Sequence, residues 1–111
     1  MNPKSGEIYF IEDPRLGKSQ HGHPCLVTGF NSTLVFICFI TSKLETKGFD
    51  DLLVKKSEPG FETTGLSCDS LIIANPITDV AKITFGKAKY KGYISGNLKK
   101  RIEQWWGSPL G

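Results

Sequence analysis

The sequence predicts a mainly β fold with one C-terminal α-helix, arranged as a small, strongly curled sheet or barrel. Short β-rich runs are separated by Asn, Pro and Gly turn residues along most of the chain. Only the last segment has the spacing of an amphipathic helix. The 111 residues suffice for one domain with a single core, assigned here to 1–111, and no internal repeat or low-complexity segment divides them.

The first three strands are predicted from apolar runs bounded by turns. Gly6 to Ile11 is the first, and Cys25 to Phe30 is the second, which Pro24 should open because proline cannot donate to a central ladder. Thr33 to Ile40 is the third, and Asn31-Ser32 before it indicates a tight hairpin. This third run is apolar on both faces, so one face should be covered by the core and the other by a helix or a second subunit.

The later strands are less regular. Leu52-Leu53-Val54 predicts one short strand, and Thr63 to Ile73 contains the start of another. Asn75-Pro76 breaks the chain, after which Ile77 to Phe85 predicts the last strand. The apolar residues of that last strand are Val80, Ile83 and Phe85.

The final element is the only convincing helix. Ser95 or Asn97 can cap it, and Gly107 followed by Pro109 ends it. Its apolar side recurs at helical spacing in Leu98, Ile102 and Trp105.

Charge and cysteine content restrict the class of protein. The net charge of +3 is mild, but in the last thirty residues only Glu103 opposes a set of cations: Lys82, Lys87, Lys89, Lys91, Lys99, Lys100 and Arg101. Such a basic end suits a polyanion, and a solvated face is the other interpretation.

Three cysteines, Cys25, Cys38 and Cys68, are an odd number without Cys-x-x-Cys spacing, which disfavours a disulfide framework and a zinc site. They are interpreted as buried apolar residues in a reducing, cytoplasmic setting, with a catalytic thiol as the alternative. The amino terminus has no apolar signal region, and no apolar segment approaches the roughly 18 residues of a membrane span. We therefore expect neither export nor a membrane partner.

We expect the functional site near the junction where a loop with several glycines leads into the apolar second strand, within Gly17 to Gly29. Phosphate-loop, dinucleotide, zinc-protease and Gly-x-Ser-x-Gly signatures are absent. Metal-free RNA cleavage needs a base for the ribose 2′-hydroxyl, a donor or cation beside the phosphoryl oxygens, and an acid for the leaving oxygen. The polar groups at strand ends that can supply these roles are His21, His23, Thr41, Ser42 and Asp69, and the loop cations Arg15 and Lys18 can offset phosphate charge.

Each candidate has a structural alternative. His23 lies between glycine and proline, where it can simply bond the loop backbone, and Thr41 can merely end a strand. Asp69 can bond backbone N–H groups of a turn. His21-x-His23 resembles half a metal site, but no further ligand stands at matching spacing, so we predict no metal and no cofactor.

Several short motifs, taken in order, resemble the MazF/PemK (Kid) family of toxin endoribonucleases. That family has a first strand, an Asp-Pro pair, a glycine-punctuated loop before a second strand, a later strand ending in Thr-Ser, and a Thr-Gly segment. The matching residues are Gly6-Glu7-Ile8-Tyr9-Phe10, Asp13-Pro14, Gly17, Gln20, Gly22, Pro24-Cys25-Leu26-Val27, Ile40-Thr41-Ser42, Thr63-Thr64-Gly65 and Asp69.

The resemblance implies an SH3-like small barrel of the PemK/CcdB type, a homodimer and an antitoxin that wraps it. It also implies metal-independent cleavage of single-stranded RNA, with attack by the 2′-hydroxyl leaving a 2′,3′-cyclic phosphate. His23, Thr41 and Asp69 would form the catalytic set. The residues expected to bind RNA are Arg15, Lys18, Gln20, His21, Ser42 and Lys43.

The chain also departs from the family pattern. Its loop is one residue shorter between Gly17 and Pro24, and His23 stands where the family has a catalytic arginine. Ser19 replaces the loop glutamate, and Ser67 lies near the position of a second functional arginine in some relatives. Arginine supplies a permanent charge and a two-pronged donor for phosphate, whereas histidine supplies neither at neutral pH.

Two further functions therefore stay open. One is a catalytically degenerate barrel that binds RNA or protein. The other is a gyrase poison like the related CcdB toxins, which end in an aromatic helix followed by Trp-Gly. Trp106-Gly107 loosely resembles that ending. Of the pair Trp105-Trp106, one ring should cover the barrel and the other is available for a partner.

Overall fold

The computed structural model describes residues 3–12, 22–75 and 77–111. These residues form a seven-stranded sheet and a C-terminal helix, which confirms the predicted mainly β class. The strands are β1 (Glu7–Ile11), β2 (His23–Phe30), β3 (Leu34–Thr41), β4 (Leu52–Val54), β5 (Ser70–Ile72), β6 (Thr78–Ala81) and β7 (Lys89–Tyr93). The helices are α1 (Lys82–Phe85) and α2 (Gly96–Trp106), and two 3₁₀ turns cover Leu44–Thr46 and Phe61–Thr63.

The sheet follows one antiparallel path with a branch. The strand order is β4-β5-β3-β2-β1-β7, and β6 pairs with the first half of β3 beside β5. Strands β4 and β7 are the two ends of this path, and the described residues contain no ladder between them. The sheet is therefore open, and it is not closed by hydrogen-bonded strands.

The 3₁₀ turn Phe61–Thr63 packs against β7. Thr63 Oγ1 donates to Tyr93 O at 2.8 Å and lies 2.7 Å from Ser95 Oγ. A Cβ atom at Gly92 would lie 2.1 Å from Thr63 O, so only glycine allows this approach. The predicted strand from Thr63 is corrected here: the strand is Ser70–Ile72, because Gly65 turns the chain at φ +76° and Thr64 bonds back to Phe61.

Two apolar clusters lie on the two faces of the sheet. The α2 core comprises Ile8, Leu26, Cys38, Ile40, Val54, Phe61, Ile72, Ile94, Leu98, Ile102 and Leu110. The α1 core comprises Tyr9, Ile11, Cys25, Val27, Val35, Ile37, Val80, Phe85 and Ala88. Strand β3 contributes alternate residues to both cores, so the prediction that it is buried on both faces is confirmed, with this chain's own residues on each side.

The predicted strand Ile77 to Phe85 is wrong in its second half. The strand ends at Ala81 and the chain turns into α1, where Gly86 N donates to Lys82 O at 2.9 Å. This turn buries Phe85 but leaves Ile83 86% exposed, so the two do not share an apolar strand face. The last strand is instead β7, which pairs with β1.

The β2–β3 hairpin is confirmed, with a loop of Asn31, Ser32 and Thr33. Asn31 Oδ1 accepts hydrogen bonds from Thr33 N at 2.9 Å and Leu34 N at 2.8 Å, which fixes the reversal. Strand β2 begins at His23, so Pro24 is its second residue rather than the residue before it. Pro24 lies opposite Phe10 of β1.

The predicted C-terminal helix is confirmed and is tied to the sheet by Arg101. Ser95 precedes α2, and Gly107 ends it in the left-handed region at φ +95°. Arg101 Nε lies 3.0 Å from Glu58 Oε2, and its Nη2 donates to Glu58 Oε1 and to Leu53 O of the edge strand β4. In the described ranges, neither helix has the length and apolar character needed to cross a membrane.

Candidate functional site

His23 and Thr41 lie at the same end of the β2–β3 pair. His23 is the first residue of β2 and Thr41 is the last residue of β3. The β2–β3 ladder ends at the pair Cys25 and Phe39, and His23 and Thr41 each lie two residues beyond that pair. Because side chains alternate along a strand, His23 and Thr41 share the face of Cys25 and Phe39.

This pair belongs to a longer row across the sheet, which we call the His23–Thr41 row. Thr41 pairs with Leu71 of β5 on one side, and His23 pairs with Ile11 of β1 on the other. Leu71 and Ile11 are buried, whereas His23 and Thr41 are each half-buried. The row therefore sets two polar side chains between apolar neighbours at one end of the sheet.

The imidazole of His23 has an unsatisfied nitrogen. Nε2 is buried and forms no hydrogen bond with any described residue. A buried polar atom without a partner costs about 1 to 3 kcal/mol, so folded proteins rarely leave one. Such an atom calls for an explanation, and a ligand-binding or catalytic role is one of the recognised ones.

Among the described residues, the hydroxyl of Thr41 serves as a hydrogen-bond acceptor. Thr41 Oγ1 accepts a hydrogen bond from Lys43 N at 3.2 Å. A hydroxyl has two acceptor lone pairs and one donor, and this bond uses a lone pair only. Ser42 and Lys43 follow directly and are exposed, so they flank the row where the chain leaves β3.

Asp69 directly precedes β5 and is engaged in holding the fold. Its Oδ1 accepts a hydrogen bond from Lys56 N at 2.7 Å, which ties the end of β4 to the start of β5. Asp69 therefore forms the hydrogen bond to a backbone N–H group that its structural interpretation predicts. The predicted RNA-binding residues Arg15, Lys18, Gln20 and His21 lie outside the described residues.

No protein-family model matches the chain, and no curated protein matches it. The site must therefore be interpreted from its own geometry.

Two of the three cysteines, Cys25 and Cys38, are poor candidates for the alternative of a catalytic thiol. Cys25 lies two residues from His23 on the same face, but burial raises the pKa of the Cys25 thiol to about 12. Burial likewise raises the pKa of Cys38 to about 11. Because the thiolate is the nucleophile, neither sulfur is activated at neutral pH. Cys68 is exposed, which corrects the prediction that all three cysteines are buried.

Sequence reasoning missed two exposed tyrosines on β7. Tyr90 is 51% exposed and Tyr93 is 48% exposed, beside the predicted cations Lys89 and Lys91. The alternation Lys-Tyr-Lys-Gly-Tyr was the available signal. Arg101, counted among the basic residues, is an ion-pair partner of Glu58 and not a free cation. Trp105 and Trp106 are both half-buried against the α2 core, so each ring covers part of the core and keeps part of its surface exposed.

Proposed function

We propose that this protein is a metal-independent endoribonuclease of the cytoplasm that cleaves single-stranded RNA, as a toxin of the MazF/PemK kind. The observation that supports it is the His23–Thr41 row. At one end of the β2–β3 pair, a buried imidazole nitrogen has no hydrogen-bond partner among the described residues, and a hydroxyl on the same face accepts a bond there through a lone pair. These are the two groups that cleavage by internal attack needs first, a base and a donor to the phosphoryl oxygen.

In the proposed reaction, His23 takes the proton of the ribose 2′-hydroxyl. The 2′-oxygen then forms a bond to phosphorus, and the bond from phosphorus to the 5′-oxygen breaks. Thr41 donates a hydrogen bond to a non-bridging oxygen, where negative charge grows in the transition state. The proton held by the imidazole returns to the leaving 5′-oxygen, directly or through water, so that the products are a 2′,3′-cyclic phosphate and a 5′-hydroxyl. Histidine suits both transfers because imidazole gains and loses a proton near neutral pH.

The burial of Nε2 sets a condition on this reaction. The atom is screened from solvent, whereas the residue as a whole is half-exposed. RNA must therefore approach from the exposed side of the ring, and the ring must turn or lose its cover for Nε2 to reach the 2′-hydroxyl. Asp69 would act by holding the β4–β5 end of the site in place through its bond to Lys56 N.

The SH3-like barrel, the homodimer and the antitoxin belong to the same proposal. The barrel is supported by the α2 core, which contains residues from strands along the path from β4 to β1, and by the 3₁₀ turn against β7. The sheet curls around α2 far enough for Val54 of β4 and Ile8 of β1 to belong to one cluster. A second copy and an antitoxin are the protein partners that this assignment implies.

Mapping of RNA ends tests the proposal. Long single-stranded RNA is incubated in EDTA with the wild-type protein, His23→Ala and Thr41→Ala, and the new ends are identified. Thr84→Ala is the matched control, because Thr84 is an exposed residue of α1 far along the chain from the row. We expect cyclic-phosphate ends from the wild type and the control, and at least about 10²-fold slower cleavage by the other two variants. Equal cleavage by all four proteins would remove the assignment.

A second candidate is a barrel that binds RNA or protein without cleaving. Two observations favour it: Nε2 of His23 is buried, and the Asp69 carboxylate is bonded to backbone. It predicts salt-dependent binding of single strands and no cyclic-phosphate ends in the same experiment.

A further inference from the structure

A bulge in strand β7 brings two tyrosines to one face of the sheet. Tyr90 and Tyr93 are three residues apart, a spacing that sets side chains on opposite faces of a regular strand. Tyr90 pairs with Tyr9 and Tyr93 pairs with Glu7, and the register shifts between these two pairs. Because Glu7 and Tyr9 share a face of β1, their partners Tyr90 and Tyr93 share it as well. Bulges that redirect side chains in this way are common beside functional sites.

Both tyrosines and Glu7 line a cavity of about 290 Å³. We call it the Glu7 pocket and define it by Lys4, Glu7, Tyr90, Tyr93 and Lys99. Glu7 is the first residue of β1, whereas the residue of β1 that pairs with His23 is the last one, four positions later. Four residues of strand span roughly 13 Å, so the Glu7 pocket is separate from the His23–Thr41 row.

The carboxylate of Glu7 is fixed in place and keeps one oxygen for a ligand. Its Oε1 accepts hydrogen bonds from Lys4 N at 2.6 Å and from Tyr9 Oη at 3.0 Å. Burial raises the pKa of Tyr9, so this hydroxyl keeps its proton and donates to Glu7 at neutral pH. No described group donates to Oε2, and no described side-chain cation lies within ion-pair distance of Glu7. The two lone pairs of Oε2 are therefore left for N–H donors of a ligand.

The tyrosines supply aromatic surface directly beside this acceptor. Both rings are half-exposed, and Tyr90 is supported edge-on by buried Tyr9, with centroids 5.5 Å apart. Partial burial raises the pKa of Tyr90, and the nearby Glu7 carboxylate and Tyr93 raise it further, since both lie close to its hydroxyl. Aromatic side chains next to a hydrogen-bonding group are the usual means by which proteins hold an unstacked base.

Two cations complete the lining of the Glu7 pocket. Lys4 is exposed and forms no ion pair with a described carboxylate. Lys99 Nζ donates to Gly111 O at 3.3 Å, and an ammonium group has two further donors. A cationic ligand would suit Glu7 but would be repelled by both lysines. A flat ring with N–H donors and an attached phosphate uses all three kinds of group in the pocket.

We infer that the Glu7 pocket binds a guanosine monophosphate group, with the base against the tyrosines and the phosphate beside the lysines. Among the four RNA bases, guanine alone presents two adjacent N–H donors on its Watson–Crick edge. The donor of adenine, cytosine or uracil lies next to an acceptor, which a carboxylate repels. This binding is additional to RNA cleavage and does not depend on the proposed function.

An NMR titration of backbone amide signals with GMP, AMP, CMP and UMP tests the inference. We expect the largest shifts at Glu7, Tyr90 and Tyr93, and about tenfold or tighter binding of GMP than of the others. Glu7→Gln turns an amide donor toward the base and should abolish this preference. Tyr93→Ser should weaken binding of every nucleotide roughly tenfold, whereas Tyr93→Phe should not. Lys4→Gln should weaken binding of GMP but not of guanosine.

The matched controls are Glu45→Gln, an exposed carboxylate on the 3₁₀ turn Leu44–Thr46, and Phe30→Ser, a ring of equal exposure at the end of β2. Both should bind GMP as the wild type does. The preference for GMP is a ratio of two affinities, so it does not change with the folded fraction of a variant. Unchanged amide signals, equal affinities for the four nucleotides, or a preference that survives in Glu7→Gln would overturn the inference.

A free nucleotide and the end of an RNA both present a guanosine monophosphate group. The wild-type protein is therefore also titrated with a 5′-phosphorylated tetranucleotide that begins with guanosine. Tighter binding of GMP would identify the free nucleotide as the ligand, and equal or tighter binding of the tetranucleotide would identify the RNA end. Shifts from both probes that centre on His23 and Thr41 would assign them to the row and refute the Glu7 pocket.

Discussion

His23 begins β2 and Thr41 ends β3, so the two side chains share one end and one face of an antiparallel pair. Eighteen positions separate them in the chain, and only the hairpin at Asn31 brings them together. Their neighbours in the same row, Ile11 and Leu71, are buried. Replacing either polar side chain should therefore lower the rate of RNA cleavage far more than it lowers the free energy of unfolding.

Thr41→Val tests the hydroxyl without disturbing the strand. Valine keeps the β-branched shape that strands favour but cannot donate to a phosphoryl oxygen. We expect the single-turnover rate of RNA cleavage to fall about 10²- to 10³-fold, as when an oxyanion donor is removed. Thr41→Ser should keep most of the rate. A valine variant as fast as the serine variant would contradict a role for the hydroxyl.

His23→Leu should separate stability from activity. The buried Nε2 has no partner among the described residues, so leucine removes an unsatisfied polar atom. We expect the free energy of unfolding to rise by about 1 kcal/mol while cleavage is lost, as at many functional sites. Urea unfolding followed by tryptophan fluorescence measures the first effect. A loss of stability in this variant would show that the imidazole serves the fold.

Glu58→Gln tests the link between α2 and the edge strand β4. Burial opposes the charged form of Glu58, but hydrogen bonds from Lys55 N and Arg101 outweigh it and lower the pKa of the carboxyl. The ion pair is partly exposed, so we expect a loss of only about 1 to 2 kcal/mol near neutral pH. Glu45→Gln, an exposed position on the 3₁₀ turn Leu44–Thr46, is the control.

The same pair predicts a pH dependence. Since the folded pKa of Glu58 lies below the unfolded value of about 4.3, its contribution is complete above that value and is lost as pH falls through the folded pKa. The stability difference between Glu58→Gln and the wild type should therefore shrink on acidification from about pH 6 to about pH 3. A difference that is constant over this range would refute the assignment.

Gly92→Ala tests the contact between β7 and the 3₁₀ turn Phe61–Thr63. A Cβ at Gly92 would meet the backbone oxygen of Thr63, which cannot move without breaking the bond from Thr63 Oγ1 to Tyr93 O. We expect a loss of about 2 to 3 kcal/mol in unfolding experiments. Gly29→Ala in β2 is the control, because its Cβ would meet only the Phe36 ring at an ordinary 3.8 Å. Similar losses in both variants would show that the turn does not pack there in solution.

The parts of the fold that were predictable from sequence are those with a local signal. Strand β4 was predicted at Leu52–Val54, and α2 has its apolar spacing, its preceding Ser95 and its terminal Gly107 within a short stretch. Strand β7 was missed because its alternation of lysine and tyrosine is short and contains no aliphatic residue. Its register is set by β1, about 80 residues earlier in the chain.

The site was predictable only in part for the same reason. Placement of His23 and Thr41 at strand ends follows from local apolar runs, which locate the ends of β2 and β3. The bond between Asp69 and Lys56 N, and the pairing of Arg101 with Glu58, join residues far apart in the chain. Such contacts depend on tertiary packing, so the sequence alone left Arg101 among the free cations and Asp69 among the candidate catalytic residues.

The measurement that tests the central claim most directly is the mass spectrum of RNA fragments formed in EDTA by the wild-type protein and by Thr41→Val. We predict wild-type fragments that end in a 2′,3′-cyclic phosphate and start with a 5′-hydroxyl, at a rate that the valine variant lowers at least about 10²-fold. Intact RNA with the wild type, or the same fragments at the same rate from both proteins, would contradict the account.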